Sequence, residues 1–400
     1  MSPLSPRALV VFCGLLLTLG AFSVDITLPF FGPMRQTFGT TDAAVQATVT
    51  LYVGSIGIGQ LIFGPLSDRF GRRPAIAAGL AVYLLGALIS LLSNSIEGML
   101  LGRAVQGVGA AAGPVVSRAI LRDLFSGRQL AQNMAVATGI FSLGPIFAPL
   151  IGVGIAQAGG SWRSVFVGML GLALVLLAGL WRAPETLRER RPDALRMSSL
   201  LAQTRALFAH PQSRHFLLLG PVAQSTMLSI VAGMPRVFEH EYGVTGALFA
   251  ALFALHGPGI IIGQTANHRL IARLGAARTA LLASLVMLAA SALITGFAAL
   301  QWLTAYGFSF LVFVFAIGYL IVMANAASMT LDPHPVNAGF TSSFLGFFTQ
   351  VPGAMLAMTA VTLSAGRALG LGLALCVLCG ASCLALVWWL RGHASRLARI

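Results

Sequence analysis

Lysine is absent from this chain of 400 residues, and every one of its 25 basic residues is arginine. Without lysine a Walker-type phosphate loop cannot be completed, which argues against a self-contained ATP-driven pump. Charge is scarce altogether, at 9% of residues, with only 11 acids. No set of nucleophile, base and orienting group and no HExxH-type metal site is present, so the chain is expected not to be an enzyme. Cysteine is limited to Cys13, Cys376, Cys379 and Cys383, all inside apolar runs. Small apolar filler suits those settings better than a soft-metal site shared by the last three, and neither metal nor cofactor is expected.

What the chain has in abundance is apolar length. Hydrophobic residues make up 57% of it and the mean hydropathy is +0.87. Runs of about 18 or more apolar residues recur, the length a helix needs to cross a bilayer core of about 30 Å. Lipid offers the backbone no partners, and unbroken runs rather than alternation select helices over a barrel. Twelve spans are expected, at 8–31, 43–66, 75–93, 97–121, 131–156, 163–182, 214–237, 246–267, 275–298, 302–329, 337–363 and 368–391. The polar, arginine-rich stretch 183–213 reads as a central cytoplasmic loop. The fold class is therefore all-α and polytopic, with one six-helix bundle in 1–182 and a second in 214–400. The run after Arg7 imitates a signal peptide, but it continues through Asp25 to Pro29 without a small-residue cleavage site and reads as a retained first span.

The net charge of +14 would suggest nucleic acid in a soluble protein. Here the arginines fall between spans, so no nucleic-acid partner is expected. With the N-terminus inside, Arg7, Arg69, Arg72, Arg73, Arg122, Arg128, the seven from Arg182 to Arg214, Arg269, Arg273, Arg278, Arg391, Arg396 and Arg399 share one side. Only Arg35, Arg163, Arg236 and Arg367 fall on the other, which places both termini in the cytoplasm.

One polar island interrupts the apolar runs, Gly64-Pro65-Leu66-Ser67-Asp68-Arg69-Phe70-Gly71-Arg72-Arg73-Pro74. A weaker copy begins at Gly263, with Asn267 laid on Asp68 at an offset of 199 residues, 267 minus 68. Two six-span halves related by duplication suit a secondary transporter.

The island resembles the loop signature of the major facilitator superfamily, Gly-x-x-x-Asp-Arg-x-Gly-Arg-Arg. Arg103, Gln106, Gly107 and Gly109 resemble that family's fourth-span signature. Gly144, Pro145, Pro149 and Gly152 resemble its fifth-span antiporter signature in altered form. Asp25-Ile26-Thr27-Leu28-Pro29, the run from Arg118 to Asp123 and Ala148-Pro149-Leu150 are similar to drug:proton antiporters of the bicyclomycin and chloramphenicol resistance type. The resemblance implies alternating access and proton-driven export of small hydrophobic drugs by a monomer in a bacterial inner membrane, with lipid, protons and substrate as its partners. A dedicated exporter of an endogenous metabolite and a non-transporting receptor remain open alternatives.

The residues themselves suggest roles. Asp25 lies six residues before Phe31, about 9 Å below the expected outer end of its span, and a carboxylate at such depth suits proton exchange unless it only marks the span's end. Arg103 is expected at the same level and so as its ion-pair partner, or else as a structural arginine. His256, beside Gly257-Pro258, is a possible proton relay or a plain interhelical histidine. Gln224, Asn325, Gln350, Phe141 and Phe253 are candidates to line the cavity. Gly107, Gly109, Gly144, Pro145, Pro149 and Gly152 serve close packing and bending. Gly64, Asp68, Arg69, Gly71, Arg72 and Arg73 are expected to form a conformational latch, closing ion pairs with Asp123 or with helix ends of the other half. Arg236, Glu239 and Glu241 suit an interfacial anchor or an outer gate.

Overall fold

The structure, a computed structural model, describes residues 4–187, 189–190, 196–334 and 338–397. Arg188, Arg191 and Arg399, used in assigning the topology, lie outside the described residues. The described residues are all helical apart from turns and connections, and 12 stretches are long and apolar enough to cross a membrane. Two compact units emerge, Met1–Arg205 with Asn337–Phe347, and Ala206–Val336 with Phe348–Ile400. The first turns of span eleven thus group with the first unit rather than following a purely sequential split.

The first unit contains α1 (Pro6–Asp25), a short 3₁₀ turn (Leu28–Phe30), α2 (Phe31–Phe38), α3 (Asp42–Phe70), α4 (Arg72–Leu92), α5 (Ile96–Ala110), α6 (Ala112–Leu124), α7 (Gly127–Gln157) and α8 (Trp162–Leu180). Next come α9 (Met197–Ala209), α10 (Pro211–Tyr242), α11 (Gly246–Ala254), α12 (His256–Leu274), α13 (Ala276–Ala299), α14 (Ala305–Leu331), α15 (Ala338–Leu363) and α16 (Ala368–Leu397). Helix α9 lies inside the stretch expected to be loop, and α10 starts at Pro211, where proline's missing N–H costs nothing at a first turn. Hydroxyls of Ser5, Thr41, Ser95 and Thr304 cap α1, α3, α5 and α14 by accepting from otherwise unpaired first-turn N–H groups.

Three spans are broken. The first breaks after Asp25, where Pro29 starts a separate turn; the fourth breaks at Ala111; the eighth breaks at Leu255, ahead of His256-Gly257-Pro258. Helix α7, in contrast, carries Pro145 and Pro149 without interruption. Close packing fixes the helices around these breaks. A Cβ at Gly107 would lie 2.3 Å from the Tyr52 carbonyl oxygen of α3, and one at Gly109 would lie 2.2 Å from the Tyr83 amide of α4, so α5 is wedged where only glycine fits. Gly144 and Gly152 bring α7 against Thr18 and Ile26, beside the break in span one.

Candidate functional site

Two constellations in the first unit and a sparser one in the second account for most of the polar chemistry. The first centres on Asp25, the last residue of α1 and only 4% exposed. Its span does not end near Phe31 as expected but continues to Phe38, thirteen residues on (38 minus 25), about 20 Å of helix. The Asp25 carboxyl makes no hydrogen bond or ion pair among the described residues.

Arg103 does not pair with Asp25, contrary to expectation. Its guanidinium lies over the Tyr52 ring, 4.0 Å from the centroid, and Nη1 donates to Gln106 Oε1 at 2.7 Å. Nε reaches the Thr48 carbonyl at 3.5 Å, while Nη2 is buried without a partner among the described residues. The reason lies in the packing: α5 is wedged against α3 and α4, and the arginine is spent on α3 and on Gln106 of its own helix. The link back to α1 is indirect, through a hydrogen bond shared by the Tyr83 and Ser23 hydroxyls two residues before Asp25. Sequence reasoning misses Tyr52, Tyr83 and Ser23, because a hydroxyl in an apolar run carries no signature.

The second constellation is the charged island, and it contains almost no loop. Asp68 and Arg69 occupy the last turn of α3, Gly71 alone turns the chain with φ 114°, and Arg72 begins α4. Only glycine occupies that conformation comfortably, and a Cβ there would also lie 2.6 Å from Glu185 Oε2. Arg72 donates from Nη1 to Asp68 Oδ1 at 2.6 Å and to Ser67 Oγ at 2.8 Å, and from Nε to Asp123 Oδ2 at 2.9 Å. Thr186 Oγ1 adds a bond to Asp123 Oδ2 at 3.0 Å. Glu185 accepts from the backbone amides of Arg72 (2.9 Å), Arg73 (3.1 Å), Thr186 (3.0 Å) and Leu187 (3.0 Å). Partial burial pushes the Glu185 carboxyl up, but those donated bonds outweigh it and hold the group below the usual carboxylate range. Every partner just named belongs to the first unit. Of the two alternatives expected, the ion pair with Asp123 is the one formed here, in a clamp across α3, α4, α6 and the segment after α8. Arg69 is exposed over the Phe70 ring, and Gly64 sits inside α3 against Ser343 of α15, which groups with the first unit, with Val115 of α6 farther off. Glu185 was legible only as an isolated acid after span six, on the side rich in arginine.

In the second unit, Asn325 Nδ2 donates to Asn267 Oδ1 at 2.8 Å and to the Ile321 carbonyl at 2.8 Å. The amide expected to line a cavity instead ties α14 to α12. His256 opens α12, 2% exposed, with Nδ1 2.5 Å from the Phe253 carbonyl and its ring edge-on to the buried Phe253 ring at 4.5 Å. Gln224 Oε1 accepts from Tyr319 OH at 2.8 Å, and Gln350 is half-buried with Oε1 lacking a partner among the described residues. Glu241 accepts from the Ala368 amide at 3.1 Å, which makes it a cap on α16. Phe141 is half-buried on α7. Next to it, a groove of about 390 Å³ between α1, α7 and α8 is lined by apolar residues including Leu15, Phe22, Leu143, Phe147 and Leu172. Leu15, Leu143 and Phe147 are exposed, so this groove faces lipid chains.

Twelve spans, a buried unpaired carboxyl at a helix break and a glycine-turn clamp define a multi-pass membrane carrier. The profile of the Major Facilitator Superfamily matches residues 11–358, and the chain belongs to that superfamily, a transporter and not an enzyme. It is 30% identical over 359 residues to the Bicyclomycin resistance protein homolog of Haemophilus influenzae, covering 87% of each. It is also 30% identical over 303 residues to the Chloramphenicol resistance protein of Pseudomonas aeruginosa, covering 72% of this chain and 71% of that one. The crystal structure of a D-xylose-proton symporter matches with TM-score 0.74 over 96% of both chains, at 15% identity, a likeness of fold alone.

Proposed function

We propose that this transporter is a proton-coupled antiporter that exports small, mostly hydrophobic drugs from the cytoplasm by alternating access. The observation that carries the reading is Asp25, a buried carboxyl with no partner among the described residues, at the broken end of a span. An ionised carboxylate left so is costly, whereas a protonated one is not, so the group's charge and the opening of its surroundings are coupled. Cargo entry or a bundle movement that wets Asp25 releases its proton; the next proton restores the dry state. Arg103 takes part as a fixed cation acting on the site through Tyr83 and Ser23 rather than as an ion-pair partner. The likeness to proteins named for bicyclomycin and chloramphenicol resistance supports the cargo class.

The energy source is the proton gradient, about 2.3 kcal/mol per charge per 100 mV, with no cofactor. The protein works as a monomer in the bacterial inner membrane with both termini in the cytoplasm, as the arginine asymmetry favours. Within the second half, His256, Gln224 and Gln350 are the polar candidates for handling cargo or proton. In proteoliposomes, Asp25→Asn is expected to abolish chloramphenicol-induced proton release, which a pH dye reads. Proton release at the wild-type rate from that variant would refute the role of Asp25.

A further inference from the structure

Several arginines in the spans are committed to partners. Arg72 is bound by Asp68 and Asp123, Arg103 by Gln106 and Tyr52, and Arg163 by the carbonyls of Leu91 and Ser93. Arg118 and Arg122, four residues apart on one face of α6, are not: neither makes a hydrogen bond or ion pair among the described residues. Arg118 is exposed, and the charge acting on it is that of Arg122, of the same sign. The acids near Arg122 are Asp68 and Asp123, whose oxygens already accept from Arg72 and Thr186. Arg118 stands six residues inside the end of α6, about 9 Å deep.

A guanidinium placed there reaches toward water rather than lying in hydrocarbon. Other sides of α6 are covered: Gly113 abuts the Leu16 carbonyl, Ser117 Oγ donates to the Cys13 carbonyl at 3.2 Å, and Ala112 packs on Gly79. The open side of Arg118 is therefore aqueous, reached from the end of α6 that bears Arg122.

We propose that Arg118, assisted by Arg122, is a binding subsite for an anionic oxygen group, a carboxylate or phosphate, carried by an amphipathic small molecule. The planar fork of Arg118 presents paired donors to two oxygens at once, and Arg122 adds a second charge one turn away. Assigning that molecule as cargo rests on the antiporter reading; the subsite itself does not.

The probes are 2-naphthoate and its methyl ester, which share an aromatic body and differ in charge. Phenylglyoxal labelling of the full-length protein in neutral-lipid nanodiscs, mapped by peptide mass spectrometry, is expected to modify Arg118 and to be blocked by naphthoate but not by the ester. Binding measured by calorimetry should favour naphthoate about tenfold, and Arg118→Gln should remove that preference, while Arg205→Gln on α9 leaves it unchanged. Arg118→Lys, which keeps the charge without the fork, should fall between. Protection by phosphatidylglycerol nanodiscs alone would keep the anion site but assign it to a lipid headgroup. Equal protection by acid and ester, no protection, or an unreactive Arg118 overturns the proposal. Proton release is not read here, so a failed antiporter test and a failed anion site are told apart.

Discussion

The turn between α3 and α4 and the turn between α12 and α13 have the same backbone and different side chains. Gly71 (φ 114°, ψ 162°) and Gly275 (φ 76°, ψ 164°) each form a one-residue link. The Gly71 amide donates to the Ser67 carbonyl at 3.2 Å and its carbonyl accepts from Ala75 at 3.4 Å; for Gly275 the partners are Ile271 at 2.9 Å and Thr279 at 3.1 Å. The glycines stand 204 residues apart, 275 minus 71. At that register Asp68 falls on Ala272 and Arg72 on Ala276, which corrects the offset that put Asn267 on Asp68. The second turn has thus kept its geometry, and Arg69 as Arg273, without the charges of Asp68, Arg72 and Arg73. Its nearest tie is the neutral bond between Asn325 and Asn267, joining two helices where the first clamp joins four segments. Turn geometry and charge clamp are separable layers, and the clamp belongs to one bundle.

The strongest way to test that asymmetry is to remove each tie. Arg72→Gln leaves Asp68 and Asp123, both partly exposed, without their cation, and should lower stability by about 2–3 kcal/mol. Asn325→Ala, which removes a neutral pair, should cost about 1 kcal/mol. Thermal unfolding in detergent reads both, and equal losses would mean that the two bundles are tied alike after all.

Next in size is the glycine pair itself. Gly71→Ala meets a left-handed φ and the Glu185 carboxylate, so it should cost about 2 kcal/mol or more. Gly275→Ala meets only the φ, with nothing within 4 Å of the new Cβ, and should cost about 1 kcal/mol. If the two variants melted together, Glu185 would not be seated against the first turn.

Much of the fold was legible because lipid forbids unpaired backbone: run length alone located twelve helices. Asp25 and the island were legible because charge inside apolar runs is costly. What sequence could not convey was partnership. The Asp25 and Arg103 levels were counted along the chain, which does not say which way a side chain turns, and Arg103 turns to Tyr52, Thr48 and Gln106. Arg103 was claimed by Tyr52, whose aromatic face looks like any other apolar residue in a sequence. Asn325 reads as a cavity amide until its partner, 58 residues away, is seen to be Asn267. The register of the repeat went astray for a related reason, since matched letters at Gly263 and Asn267 outweighed the one glycine whose φ fixes the turn.

The smallest effect concerns how the first clamp responds to acid. Glu185 is held below its ordinary value of 4.5 by four backbone amides. A carboxyl with a depressed native pKa binds fewer protons folded than unfolded, so its contribution is fully present above the ordinary value and fades as pH falls through the native one. The melting-temperature gap between wild type and Glu185→Gln should accordingly stay constant from neutral pH down to about pH 5 and shrink below about pH 4.5. The second turn has no such carboxylate, so Gly275→Ala should show the same deficit at every pH in that range. A gap for Glu185→Gln that widened in acid would reverse the sign and mean that the neutral carboxylic acid, not the carboxylate, is what the amides hold.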